Sequence, residues 1–300
     1  MNTIRGLLPG GLVDEQGAVH RQVELRSLSG HEELILANRE GREVNALVTT
    51  LLSQCVRRLG DINPVSEEEM RNLLVADRQY LFLKLREATF GDQVQATIVC
   101  PNPNCGNKVD IDFSIADIPI KILADKGPCY QMRLSPEFGL VNDDGETYTE
   151  VVFRLPNGGD QEALAPLIDE DESRAAQALL ARCVQRFGPL ENPGVQVIEQ
   201  LAPQAKMEIE QQIELIAPAL EPTMSGDCPE CGAPFVIPFN LMKFFWSELK
   251  SSRDSLLREV HYLAFHYHWS EGEIMAMPRE KRRMYIELLA EEIQRMNGEV

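Results

Sequence analysis

The sequence predicts an α+β fold that is mainly helical, with a split four-cysteine ribbon and an inserted α+β segment. Three observations lead to this prediction. Long stretches carry apolar residues at the three-and-four spacing of a helix face, shorter stretches alternate apolar and polar residues, and two tight cysteine pairs lie far apart in the chain. Each cysteine pair stands directly before an alternating stretch, as expected where two strand hairpins form one ribbon.

The composition indicates a globular protein whose partners are other proteins. The chain has 300 residues, of which 44% are hydrophobic, so it can bury a sizeable core without cross-links. No stretch reaches the roughly 18 apolar residues of a membrane span, and the first residues lack the apolar block of a secretory signal. We therefore expect no membrane contact and a cytoplasmic location. The net charge of -18 repels phosphate backbones and disfavours nucleic acid as a partner.

The N-terminal region is predicted to be a strand followed by helices. Residues 20–29 alternate as in a short strand, and Ser29 is placed to cap the helix that follows. One helix face that Gly60 would end is formed by Val44, Leu47, Val48, Leu51, Leu52, Cys55, Val56 and Leu59. Ser66 and Glu69 then form a capping-box pair at the start of a helix traced by Met70, Leu73, Leu74, Asp77, Leu81, Lys84, Leu85 and Ala88.

Two charged residues interrupt the middle of this second helix. Asp77 and Arg78 stand among apolar neighbours. Charged pairs on helices are usually a solvated face or an ion pair, and we expect the same here, with a role in fixing an interface as the alternative. Neither residue is expected to be catalytic.

Short strands and further helices are predicted in the middle and at the end of the chain. Two strands, at 94–99 and 109–113, read as a hairpin with the first cysteine pair at its turn. The following acidic stretch is predicted to contain strands at 130–134 and 148–155, joined through a turn at 142–145, and helices near 161–187 and 203–218. The C-terminal residues are predicted to be helical, at 241–249, 256–268 and beyond, with Ser270 and Glu273 as a second capping box.

These elements divide the chain into four predicted segments. They are an N-terminal strand and helices at 1–98, a split ribbon formed by 99–120 with 223–241, an inserted acidic α+β segment at 121–222, and a C-terminal helical segment at 242–300. The division follows from the assumption that the two cysteine pairs belong to one ribbon.

The two cysteine pairs are the strongest chemical signal in the sequence. Cys228 and Cys231 have the spacing of a zinc knuckle, with Pro229 and Gly232 suited to its tight turn. Cys100 and Cys105 keep the flanking proline and glycine with a longer spacing. Together the pairs supply the four thiolates that tetrahedral zinc prefers. We therefore predict one structural zinc ion held by Cys100, Cys105, Cys228 and Cys231.

Other interpretations of these cysteines remain open at the level of sequence. The pairs could be unrelated reduced thiols, or Cys228 and Cys231 could form a redox pair. Cys55 and Cys183 recur on apolar helix faces and are expected to fill the core, whereas Cys129 has no assignment. A four-thiolate centre leaves no open coordination position, which argues against a catalytic metal and against an enzyme.

Two competing functions can be weighed from the remaining motifs. A metal-dependent hydrolase would need a second cluster near His261, His266 and His268, which we expect to be packed among aromatic residues. A nucleic-acid-binding zinc ribbon is the alternative function, supported by the cysteines and by the basic cluster Arg279, Lys281, Arg282 and Arg283. The net charge opposes it, and a solvated helix face accounts for the cluster.

Several stretches resemble those of the T-even-type baseplate hub assembly chaperone family. They are Leu25-Arg-Ser-Leu-Ser-Gly-His-Glu-Glu33, the helix at 74–81, Thr89-Phe-Gly-Asp92 before the first cysteine pair, and the helical ending at 258–271. The resemblance spans most of the chain apart from 121–160. It implies a non-enzymatic protein of a contractile phage tail or related contractile injection system, whose partners are baseplate hub or tail proteins. It leaves open the oligomeric state and whether the protein remains in the tail.

Overall fold

The computed structural model describes most of the chain as an α+β fold, in agreement with the predicted class. The described residues are 3–38, 41, 43–124, 127–141, 144–221, 223–238, 244–245, 248 and 253–298. They form two α+β units, residues 3–114 and 130–238, and a helical C-terminal segment, residues 253–298.

The first unit is a three-stranded sheet, four helices and a terminal hairpin. Its elements are β1 Thr3–Val13, β2 Val19–Arg26, α1 Gly30–Ala37, α2 Val44–Cys55, β3 Val56–Leu59, α3 Glu67–Asn72, α4 Val75–Phe90, β4 Gln93–Val99 and β5 Lys108–Ser114. The sheet has the order β1-β2-β3, and β4 pairs with β5. The main apolar core lies between the sheet, α2 and α4, where Leu51, Leu52 and Leu81 are fully buried. A short strand, β6 Ile120–Lys121, follows the unit.

The second unit has the same types of element. They are β7 Tyr130–Arg133, β8 Leu140–Val141, β9 Thr147–Tyr148, β10 Glu150–Phe153, α5 Gly158–Glu170, α6 Glu172–Cys183, β11 Val184–Phe187, β12 Leu190–Glu191, α7 Val195–Gln200, α8 Pro203–Ile216, β13 Ala219–Leu220, β14 Thr223–Asp227 and β15 Pro234–Pro238. Its sheet has the order β12-β11-β10-β7, and β14 pairs with β15. Strand β13 pairs with β6 and so links the two units.

The strand register shows that the second unit repeats the first. In the first unit β2 and β3 pair as Val23↔Leu59, Glu24↔Arg58 and, after a bulge, Leu25↔Val56. In the second unit β10 and β11 pair as Val151↔Phe187, Val152↔Arg186 and, after a bulge at the same place, Phe153↔Val184. Strands β3 and β11 are each followed by a glycine in the left-handed region, Gly60 with φ of 57° and Gly188 with φ of 55°.

An equivalent arginine–carboxylate ion pair lies at the end of the second sheet strand in each unit. Arg26 donates two hydrogen bonds to Glu32, of 2.9 and 2.8 Å, and Arg154 donates two to Asp160, of 2.6 and 2.8 Å. Each acid is the third residue of the next helix and completes a capping box with Ser29 or Asn157. A bidentate arginine pair fixes the angle between strand and helix, so both units turn from sheet to helix in the same way.

This repetition gives a different grouping of the predicted segments. The segment predicted as an insertion, 121–222, contains the sheet and helices of the second unit, and the second cysteine pair lies in the terminal hairpin of that same unit. The observed elements can also be grouped as two repeated units and a C-terminal segment.

Two predicted helices are too long, and for the same reason. Helix α2 ends at Cys55 and helix α6 at Cys183, and the residues predicted to extend them form β3 and β11. Helical spacing places Val56 and Leu59 on the apolar face, but both side chains are also buried as strand residues paired with β2. In each unit, pairing with a neighbouring sheet strand outweighs the helical preference of the four residues that form β3 or β11.

The predicted helix from Ser66 to Ala88 is broken after α3. Leu73 and Leu74 have extended backbone conformations, with ψ of 142° and 152°. The backbone at this break forms hydrogen bonds with the second unit. The Gly158 N–H donates to the Leu73 carbonyl at 3.0 Å, and the Val75 N–H donates to the Pro156 carbonyl at 3.3 Å. The capping box of Ser66 and Glu69 is confirmed.

The expected solvated position of Asp77 and Arg78 is wrong, because both side chains are buried. Asp77 is 0% exposed and accepts the backbone N–H of Gly10 at 2.7 Å and of Gly11 at 2.9 Å. Arg78 is 3% exposed and donates to Thr49 Oγ1 at 2.7 Å and to the carbonyls of Asn45 and Met70 at 2.9 Å. Asp77 therefore joins β1 to α4, and Arg78 joins α4 to α2 and α3.

The C-terminal segment packs on the first unit. Its helices are α9 Arg253–Tyr267, α10 Glu271–Met275 and α11 Arg279–Gly298, and the capping box of Ser270 and Glu273 is confirmed. Arg282 is 0% exposed and donates to Glu33 of α1 at 2.7 Å. Most of the predicted helix at 241–249 and part of the predicted turn at 142–145 lie outside the described residues.

Asp77→Asn is expected to remove a pH dependence from the stability of the protein. Burial raises the pKa of Asp77 from 3.8 to about 6, against the effect of the Gly10 and Gly11 N–H groups. The folded state therefore holds this proton to higher pH than the unfolded state, and its contribution to the unfolding free energy falls as pH rises from about 4 to 6, by at most about 3 kcal/mol.

Urea unfolding of wild type and Asp77→Asn from pH 4 to pH 7 measures this contribution. The unfolding free energy of the wild type minus that of the variant should decrease from about pH 4 to about pH 6 and stay constant from there to pH 7. A difference that does not change with pH would show that Asp77 is not buried as described.

Candidate metal centre

Two equivalent hairpins carry the four predicted ligands. Cys100 follows β4 and Cys228 follows β14, and in each hairpin the first cysteine N–H donates across the turn, to Asn107 O at 2.8 Å and to Ala233 O at 3.0 Å. Each second cysteine precedes a glycine in the left-handed region, Gly106 with φ of 64° and Gly232 with φ of 67°. The turns differ only in the two additional residues of the first.

The structure brings all four predicted cysteines together. Their sulfur atoms lie within 4.8 Å of one another. Cys100 Sγ is 3.8 Å from Cys231 Sγ, and Cys105 Sγ is 3.8 Å from Cys228 Sγ, so each of these contacts joins one unit to the other. Apolar residues of both hairpins, Val109 and Phe235, cover the inner side of the cluster.

Hydrogen bonds to sulfur give the cysteines different proton affinities. The backbone N–H of Cys231, with that of Glu230, lowers the pKa of the Cys228 thiol to about 7. For Cys100 the Asn102 backbone N–H lowers the pKa, but burial and the three neighbouring thiols raise it to about 12. Four negative sulfur atoms at this separation repel one another, so a full set of thiolates needs a cation.

The geometry fits a tetrahedral ion bound by four sulfurs. A Zn–S distance of about 2.3 Å gives a sulfur–sulfur separation of about 3.8 Å along the edge of a tetrahedron, which matches the two cross-unit contacts. A disulfide would need about 2.05 Å, and all four cysteines are free. The cluster can therefore hold a metal ion, and four cysteine ligands would leave no position open for water or substrate.

One residue near the cysteines was missed by the sequence reasoning. The Asn102 side-chain amide lies 3.7 Å from Cys231 Sγ and is placed to donate to it from the opposite unit. Its position inside the first cysteine pair is the only signal that the sequence offers. Asn102 Oδ1 also accepts the Asn104 N–H at 3.1 Å, which orients the amide.

The remaining cysteines have the environments expected from their patterns, except for Cys129, which had no assignment. Cys55 and Cys183 are fully buried, and Cys129 is exposed. Burial raises the pKa of Cys183 to about 12 and raises that of Cys55 as well. Cys55 and Cys183 are equivalent positions of the two units, each at the end of the second helix.

No second metal cluster is found among the residues that the structure describes. Among the histidine, cysteine and acidic side chains of the described residues, only the four cysteines form a group that could hold a metal ion. His261, His266 and His268 are exposed, and His266 contacts the rings of Tyr262 and Phe265. These positions provide no support for a hydrolytic metal site.

The predicted basic cluster does not form a continuous basic surface. Arg282 is buried and paired with Glu33, and Arg279 is half-buried with its guanidinium 5.8 Å from the centre of the Phe90 ring. Only Lys281 and Arg283 of this cluster are fully exposed.

Together, the fold and the cysteines define a class of protein: a repeated α+β chain whose two units meet at a candidate metal centre. Residues 15–246 match the family model described as T4 bacteriophage base plate protein. The chain belongs to this family, and the predicted resemblance to phage baseplate proteins is confirmed at that level. The match includes both cysteine pairs and ends before α9.

Other comparisons add no relative. No curated protein and no solved structure matches the chain significantly. Within the described residues, no helix is both long enough and apolar enough to cross a membrane.

Alkylation of the native protein is expected to separate the cysteines by environment. At pH 8 Cys129 should react with iodoacetamide, because its side chain is exposed. Cys55 and Cys183 should remain unmodified, because burial excludes the reagent and raises their pKa. Mass spectrometry of the digested protein measures each site, and labelling of Cys55 or Cys183 before unfolding would contradict the described core.

Proposed function

We propose that this chain is a non-enzymatic assembly factor or component of the baseplate hub of a contractile phage tail or related contractile injection system. Membership in the base plate protein family supports the setting. We further propose that Cys100, Cys105, Cys228 and Cys231 bind one structural zinc ion. The observation that carries the zinc proposal is the convergence of four sulfurs from two units at the separation of a tetrahedral site.

A zinc ion at this position would act on the fold. Each unit contributes two ligands, so the ion would link two hairpins that are distant in the sequence. Metal binding to such a preformed set of thiolates contributes directly to folding free energy. The two units would be held in one relative position, as a protein needs when it presents several surfaces to partners in an assembly.

The charge distribution favours protein partners. The chain has a net charge of -18, and two members of its densest basic cluster are partly or fully buried. Phosphate contact would require an exposed basic surface. The alternative of a nucleic-acid-binding ribbon therefore has no specific observation in its favour.

Replacement of a ligand cysteine is expected to remove the metal and lower stability. Purified wild type should contain about one equivalent of zinc. Cys228→Ser should lose most of it and unfold at a temperature lower by several degrees, because three thiolates bind zinc less tightly than four.

Cys129→Ser is the matched control, because Cys129 is an exposed cysteine outside the cluster. It should keep the metal content and thermal midpoint of the wild type. Metal-free wild type that is as stable as the zinc-loaded protein would overturn the zinc proposal and leave the family membership unaffected.

Deletion of the gene tests the assembly role. Without the protein, electron microscopy should show tails that lack complete baseplates, and complementation with the wild-type gene should restore them. Normal, contractile particles with intact baseplates in the deletion strain would contradict a role in hub assembly. Complementation with Cys228→Ser then separates the role of the metal from that of the chain.

A further inference from the structure

A cleft separates the two cysteine hairpins on one side of the candidate metal centre. Its volume is about 530 Å³, and it is bordered by β5 of the first unit and β14 of the second. Five consecutive residues of β5, from Val109 to Phe113, line it. Because successive side chains of a strand point to opposite faces, a cleft lined by five consecutive residues lies along the edge of the strand and not over one of its faces.

Both bordering strands have a free edge within the part of the chain that the structure describes. β5 pairs with β4 alone, and β14 pairs with β15 alone. On their other sides, Val109 to Asp112 of β5 and the residues of β14 have no strand partner among the described residues, and such edges accept an added strand. Two edges on opposite walls of one cleft can bind the backbone of a single extended segment.

The two hairpins differ at one wall of the cleft. In the first unit Ile98 pairs with Val109 and packs against the cysteine cluster. The equivalent residue of the second unit is Gly226, which pairs with Phe235 in the same register. A glycine thus stands where the other hairpin places an isoleucine, the Phe235 ring lies over it, and both residues line the cleft.

The residues that line the cleft indicate what kind of molecule can bind there. The floor is apolar, with Val109 and Phe235 buried, and four exposed aspartates surround it: Asp110, Asp112, Asp117 and Asp227. Among the residues that the structure describes, no lysine or arginine lines the cleft. Unbalanced carboxylates beside free strand edges attract a positively charged polypeptide and repel nucleic acid.

We propose that this cleft binds an extended segment of a partner protein in which basic and apolar residues alternate. The backbone of the segment pairs with β5 and β14, its apolar side chains lie on the floor, and its lysine or arginine residues face the aspartates. The inference rests on the proposed function in one respect, since the metal would hold the two hairpins on either side of the cleft.

A peptide of alternating lysine and valine is the probe. Fluorescence anisotropy should show that it binds the zinc-loaded wild type. A peptide with proline in place of every second valine should bind at least roughly tenfold more weakly, because proline cannot donate to a strand edge. A peptide of alternating glutamate and valine should not bind.

Gly226→Val tests the location of binding. A Cβ atom at this position would lie 3.3 Å from the Phe235 ring, so a valine displaces the ring of this cleft-lining residue. The variant should lose roughly tenfold or more in peptide affinity, and its zinc content is measured alongside because Phe235 also packs against the cysteine cluster. The double variant Asp110→Asn with Asp227→Asn should show a similar loss.

Glu170→Gln with Glu172→Gln is the control for the general negative charge of the protein, because both residues are exposed in the second unit away from the cleft. It should leave affinity unchanged. Equal binding to Gly226→Val, equal binding of the proline peptide, or an equal loss in the control variant would overturn the cleft proposal. If zinc content is normal in those experiments, the proposed metal site stands independently.

Discussion

Four cysteine sulfurs from two hairpins meet between the two units, and the positions of the neighbouring strands follow from this meeting. Sulfur atoms within 4.8 Å of one another cannot all be thiolates without a cation between them. The closest contacts, Cys100 with Cys231 and Cys105 with Cys228, cross from one unit to the other. A metal at this point would therefore fix the relative position of the units, the strand edges beside them and the cleft between those edges.

The two units conserve their internal geometry and differ at their surfaces. Both have the same bulged register, the same arginine–carboxylate pair and the same glycine turns in their hairpins. At the surface of α4, Phe82 packs on Phe245 and Arg86 pairs with Glu248. The equivalent positions of α8 are Glu210 and Glu214, both exposed. Phe245 and Glu248, which precede the C-terminal segment in the chain, therefore cover this face of the first unit, and polar residues keep the same face of the second unit in water.

Local signals in the sequence predicted the cysteine centre, the capping boxes and the cysteine hairpins. The strands β3 and β11 could not be predicted in this way, because four residues at the end of a helix become a strand only when a sheet partner is present. The buried positions of Asp77 and Arg78 also depend on tertiary contacts, with backbone groups of β1 and α2 as partners.

The repeat is visible in the sequence as a constant spacing between matching stretches and not as a local periodicity. Cys55-Val-Arg-Arg-Leu-Gly60 and Cys183-Val-Gln-Arg-Phe-Gly188 are separated by the same number of positions as Cys100 and Cys228. A comparison of the chain with itself would have found this spacing. It would also have assigned the second cysteine pair to a complete unit, which the insertion hypothesis did not.

X-ray absorption at the zinc edge of the purified wild-type protein tests the metal centre most directly. A single shell of four sulfur atoms at about 2.3 Å is expected, because both cysteine pairs must contribute to one ion. A shell that contains nitrogen or oxygen, or the absence of zinc from protein purified without chelators, would contradict a centre formed by Cys100, Cys105, Cys228 and Cys231.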